Sequence, residues 1–196
     1  MTATSHGLGG RVPLVNPATL TGDGRELFVR IQESVVPWAE RTGFAATTAG
    51  GRLIGPFNAT LLNPSIAAEF LKLQAAEEKY TSLNERVRQV VILTVGAVWQ
   101  APYELYAHSA VARHAGLDGS DVGVLVAGGT PEHLTDAEKI AHRLARALTT
   151  SHRVGDALYR DAYETFRAAG VFEITTLTGI YHTVCGILNV FAIPAP

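Results

Sequence analysis

The string Tyr103-Glu104-Leu105-Tyr106-Ala107-His108 holds the residues best suited to chemistry. On a helix, Glu104 and His108 stand one turn apart on the same face, about 6 Å of rise, where carboxyl and imidazole can share a hydrogen bond. Such a pair can transfer protons. The carboxylate would fix the ring's tautomer and favour its charged form, and an imidazole with an ordinary pKa of roughly 6.5 reaches neutral pH through small shifts. The same spacing also fits an ordinary ion pair on a helix surface. His182, in Ile180-Tyr181-His182-Thr183, lies in an uncharged C-terminal stretch where its ring must find a partner. It is either a core histidine or, if its helix lies beside that of Glu104, Tyr181 or His182 completes a polar pocket with apolar walls. His114, His133, His142 and His152 sit among charged or loop residues and are expected to be solvated.

Arg52 is a lone cation in Gly51-Arg52-Leu53-Ile54-Gly55-Pro56-Phe57-Asn58. Its guanidinium could clamp a carboxylate or enolate bidentately, with Asn58 adding a neutral donor, or it could pair with an acid of its own or a neighbouring subunit. No metal-ligand spacing stands out: His108 and His114 point to different sides of a helix, and no His-Glu-x-x-His string occurs. There is no Gly-x-Ser-x-Gly elbow and no phosphate-binding Gly-Lys-Ser/Thr loop, so nucleotide cofactors and acyl-enzyme chemistry rank low, and neither cofactor nor metal is expected.

Composition narrows the setting. The 196 residues are 47% hydrophobic and only 17% charged, below the roughly 25% of an average domain, which excludes disorder and points to surface buried between subunits of a homo-oligomer. A net charge of -2, with no basic cluster longer than Arg86-Val87-Arg88, makes nucleic acid an unsuitable partner. Cys185 is alone, and the opening stretch is polar and Gly-rich rather than a secretory signal, so a reducing cytoplasm is the expected location. The uncharged run from Ile174 to Pro196 carries Thr175, Thr176, Thr178, His182, Thr183 and Asn189, and reads as a buried helix rather than a membrane span.

The elements that must position these residues are all helical. Leu27, Ile31 and Val35 mark one face of a first helix from Asp23 to about Arg41. A loop from Gly50 to Pro64 closes on Asn63-Pro64, cap and first residue of a second helix to about Tyr80. Ser82-x-x-Glu85 reads as a capping box opening an apolar run, Val90 to Trp99, which predicts a central buried helix. Pro102 starts the helix of Glu104 and His108, which ends at Ala115-Gly116, and a short helix follows Gly119-Ser120. Thr135-x-x-Glu138 starts another helix to about Thr149, followed by helices from Asp156 to Ala169 and from Phe172 to Phe191. Glu85 and Gly116 recur at similar spacing as Glu138 and Gly170, which fits a duplicated helical hairpin.

Gly51 to Asn58, Leu83-Asn84-Glu85-Arg86 before an aliphatic helix, Tyr103 to His108 and Ala115-Gly116-Leu117 together resemble the carboxymuconolactone decarboxylase family of the alkylhydroperoxidase-D-like superfamily. The resemblance runs from Arg52 to Gly129 and, through Tyr181-His182 and Leu188-Asn189-Val190-Phe191, loosely to the C-terminus. It implies an all-α domain over residues 51–196 behind an N-terminal extension, residues 1–50, with one helix, and a dimer, trimer or hexamer with sites near subunit boundaries. It further implies a cofactor-independent lyase of the decarboxylase type, acting on a small carboxylated lactone or other enolisable acid. In it His108, polarised by Glu104, moves a proton, Arg52 or a cation of a neighbouring subunit holds carboxylate, and Tyr103, Tyr181 or His182 shapes or donates to the enolate. The superfamily's peroxidase branch carries Cys-x-x-Cys-x-x-x-His, which laid on His108 falls on Ala101 and Glu104, so disulfide cycling is not expected. A non-catalytic binding or structural oligomer of the same fold is the alternative from a different class.

Overall fold

The computed structural model describes residues 7–196; residues 1–6 of the N-terminal extension lie outside the described residues. Among the described residues eight α-helices follow one another: α1 (Gly22–Thr42), α2 (Pro56–Thr60), α3 (Pro64–Tyr80), α4 (Glu85–Trp99), α5 (Pro102–His114), α6 (Gly119–Val126), α7 (Asp136–Thr150) and α8 (Asp156–Val190). Among the described residues the only β pairing is an isolated bridge between Thr47 and Leu53.

Helix α4 is the axis. Every residue from Val87 to Gly96 is buried, and α4 packs against α5, α6, α7 and α8. The buried stretch therefore starts earlier than the apolar run and, besides Thr94 within that run, takes in the polar residues Arg88 and Gln89. One apolar cluster joins α4 to α7 and α8 through Val91, Ile92, Leu144 and Ile174. A second joins it to α5 and α6 through Val90, Leu93, Ala112 and Leu125. A third brings Ala39 of α1 and Phe44 of the following loop against Tyr103, Ala107, Val184 and Leu188. The extension thus supplies part of the wall behind Tyr103.

Capping explains most boundaries. Asn63 accepts the Ile66 N–H, and Thr135 and Glu138 complete a reciprocal capping box. The expected box at Ser82 does not form. Asn84 is the cap, accepting from Val87, while Ser82 bonds to Glu173 on α8 and Glu85 is left to reach Arg88 and Gln89. Residues 50–64 are not all loop, since Pro56 nucleates α2. The two C-terminal helices run together as α8 with a break at Arg167, whose φ is 56°. Gly170 follows because a Cβ there would meet Phe166 at 2.7 Å. The second half of α8 has the length and hydropathy of a membrane-crossing helix, yet supplies Ile174, Leu177, Val184 and Leu188 to two core clusters.

Candidate functional site

Pro102 sets the first turn of α5, so Glu104 and His108 project from its buried side toward α4 and α8. Gly96 of α4 makes room for Glu104, since a Cβ there would lie 3.2 Å from Glu104 Cγ. Both side chains line a cavity of about 540 Å³, whose apolar walls include Trp38, Phe44, Phe57, Phe70, Ile180 and Val184. The pair is therefore interior, and a helix-surface ion pair is excluded.

A chain of hydrogen bonds fixes the imidazole. Glu85 accepts from Gln89 Nε2 at 2.7 Å, which turns Gln89 Oε1 toward His108 Nδ1 at 2.8 Å. A carboxamide oxygen cannot donate, so Nδ1 carries the proton and Nε2 of the neutral ring presents a lone pair. Tyr181 donates its hydroxyl to that lone pair at 3.2 Å, its ring edge-on to the imidazole. Glu104 Oε1 lies 3.2 Å from Nε2 but off the hydrogen-bonding direction, and has no hydrogen-bond partner although it is buried.

Charge follows from burial. Loss of hydration pushes the Glu104 carboxyl up to about 8. The same effect, reinforced by the Arg88 guanidinium, pushes His108 down to about 3. Both groups are therefore mainly uncharged at neutral pH. The expectation that Glu104 polarises a charged imidazole is corrected on this point: Gln89, not Glu104, sets the tautomer, and burial favours the neutral ring. Tyr181 is likewise held well above its usual range by burial. Arg88 forms the charged floor, bonded to Glu77 at 2.6 Å and Glu85 at 2.8 Å. Burial opposes its charge, but the Glu77 bond and the two carboxylates keep its pKa above the ordinary arginine value.

Tyr103 also lines the cavity, with its hydroxyl already donated to the Ala45 carbonyl at 2.6 Å. The structure does not bring Arg52, Asn58 or His182 to it. Arg52 is exposed beyond the bridge at Leu53, its guanidinium 3.5 Å from the Leu14 carbonyl. Asn58 is buried but committed to the N-terminal strap, residues 7–21 ahead of α1, accepting from Val15 N–H and donating to the Pro13 carbonyl. His182 faces the other side of α8, bonded to Thr149 and packed on Trp99. His142 is not solvated. It is buried between Thr94 and Thr130, where burial first and Arg146 second lower its pKa to about 4.

Arg88 and Gln89 are the site residues that sequence reasoning missed. The signal was their position, four and five residues past the Asn84 cap, directly before the apolar run that α4 buries. Cys185, the lone thiol, is buried, and burial pushes its pKa up.

No known family profile and no curated protein matches the chain by sequence. Solved structures do match in shape. An uncharacterized peroxidase-related protein from Ralstonia eutropha JMP134, described as an alkylhydroperoxidase AhpD core, superposes with a TM-score of 0.74 at 17% identity, over 94% of this chain and 91% of that one. An uncharacterized peroxidase-related protein from Silicibacter sp. TM1040 gives 0.73 at 16% identity, covering 100% and 93%. A variant of the debrominase Bmp8 in complex with 2,3,4-tribromopyrrole gives 0.69 at 14%, covering 88% of each chain. The chain therefore adopts the all-helical alkylhydroperoxidase-D-like fold.

Proposed function

We propose that this protein is a cofactor-independent lyase or isomerase that shifts a proton on a small enolisable molecule, with Glu104 as the proton carrier. One observation carries the reading: the Glu104 carboxyl, buried and without a hydrogen-bond partner at Oε1, lines an apolar cavity beside a tautomer-fixed imidazole. A proton affinity near 8 leaves about a tenth of Glu104 ionised at pH 7, and matches a base to its working pH. The ionised carboxylate takes a proton from the carbon beside a carbonyl. The C–H pair becomes a C=C bond and the carbonyl π pair moves to oxygen, which accepts the Tyr181 hydroxyl in place of His108 Nε2. Glu104 then returns the proton to another carbon, completing an isomerisation, or the electron pair expels a β-substituent, completing an elimination.

Decarboxylation of a carboxylated lactone ends in the same way, with a proton delivered to a dienolate. Its start needs a cation that holds the carboxylate inside the cavity, but Arg52 stands away from it, Arg88 already has two carboxylate partners, and Arg30, Arg41 and Lys72 border it only where they are exposed. A debrominase and peroxidase-related proteins among the structures of this fold favour catalysis over a scaffold role. A thiol cycle is disfavoured, because Ala101 and Glu104 stand where the paired cysteines would be and Cys185 is alone.

The test is hydrogen–deuterium exchange at carbon, followed by NMR on 4-hydroxyacetophenone, 2-cyclohexenone and α-angelica lactone in D₂O. Protein-dependent exchange on at least one of them should rise with pH through a midpoint near 8, because the base is the ionised form. Glu104→Gln should lower it about 10²- to 10⁴-fold. Absence of exchange on all three, or full exchange by Glu104→Gln, overturns the reading.

A further inference from the structure

We infer that the cavity selects an uncharged, flat cyclic or aromatic molecule with a carbonyl or hydroxyl oxygen that the acid form of Glu104 binds before proton transfer, and that it rejects carboxylates. The inference rests on the proposed site for its location, but the binding preference can be measured without turnover.

Three features of the cavity support it. First, the floor's charge is already compensated. Arg88 is held at 2.6 Å by Glu77 and at 2.8 Å by Glu85, so an anion placed there would be a third negative group around one guanidinium. Secondly, an unpartnered carboxyl group on the cavity wall suits a neutral oxygen. Glu104 Oε1 is buried without a partner, and a carboxyl group in its acid form can donate to a carbonyl or accept from a hydroxyl. A substrate carboxylate would instead oppose the ionised form of Glu104. Thirdly, the walls are broad and apolar, and the Trp38 indole stands 6.3 Å from the His108 ring, offering a flat ligand an aromatic face. Arg30, Arg41 and Lys72 also border the cavity, but all three are exposed, Lys72 is bonded to Glu69, and Glu78 joins them at the rim. They lie where solvent and salt screen them.

The comparison uses 4-hydroxyacetophenone and 4-hydroxybenzoate, which differ chiefly in replacement of a methyl group by a charged oxygen. Quenching of Trp38 is followed at pH 7 in Trp99→Phe protein, which leaves one indole, and saturation-transfer NMR on the unaltered chain repeats the measurement. The ketone should bind at least about tenfold more tightly than the carboxylate. Ile187→Phe, which narrows the cavity, should weaken ketone binding about fivefold or more. Equal or tighter binding of the carboxylate, binding of neither, or a ketone affinity indifferent to Ile187→Phe overturns the inference. If the carboxylate binds equally well while carbon exchange still depends on Glu104, the ligand class fails and the proton-transfer reading stands. If the ketone binds selectively but Glu104→Gln leaves exchange intact, the reverse holds.

Discussion

Gln89 governs the state of His108 through a bond that leaves it no alternative: its amide is spent on Glu85, so its oxygen must face the ring. Replacing it with a carboxylate changes the electrostatics while keeping the shape. Gln89→Glu should raise the His108 pKa toward or above the ordinary imidazole value, since an anion 2.8 Å away favours the charged ring. Nitrogen-15 NMR should show a neutral ring protonated at Nδ1 in the parent at pH 7 and a substantial imidazolium fraction in the variant. A ring still fully neutral would mean that Gln89 does not control it. The Glu104–His108 pairing was legible in the sequence because helical spacing alone puts them on one face. Their charge states were not, because burial depends on what α1 and α8 lay over them. Arg88 and Gln89 were hidden for a related reason: polar residues near a helix start look solvated until their buried partners, Glu77 and His108, arrive from elsewhere in the chain.

At the level of elements, turn chemistry and caps revealed the helices, and close approaches between them remained invisible. Gly55 shows both. Gly55-Pro56 falls within the loop that the sequence predicts from Gly50 to Pro64, and the structure puts Gly55 at φ 64° just before α2. What the sequence withheld is that any Cβ at Gly55 would overlap the Tyr103 ring. Gly55→Ala should therefore destabilise the fold by at least about 2 kcal/mol, through backbone strain and displacement of Tyr103, seen as a lower denaturant midpoint. A change below about 0.5 kcal/mol would show that the ring yields freely. The Arg167 break was placed a few residues late for a similar reason. Gly170 was read as the interruption itself, whereas its role is to let the resumed helix pass close to Phe166.

Over the whole molecule, low charge pointed to self-association, and the structure supplies a candidate surface. Ile66, Leu73 and Tyr80 recur every seven residues on the outer face of α3, and all three are exposed. We propose that this stripe meets another copy of the chain. Light scattering after size exclusion should then give a mass above the 20.9 kDa of one chain, and Ile66→Asp with Leu73→Asp should reduce it to one chain without loss of helicity. A monomeric parent, or an unchanged assembly in the double variant, would remove α3 from that role.

The strap along the far edge couples the two ends of the fold. Arg11 donates its amide to the Phe191 carbonyl and its guanidinium to that of Val190, while Gly10 lies so close to Ala192 that a Cβ could not fit. Fraying at residue 11 and unwinding after residue 190 are then a single event, and the amides of Arg11 and Ile193 should lose protection from solvent exchange together, at one rate, despite their separation along the chain.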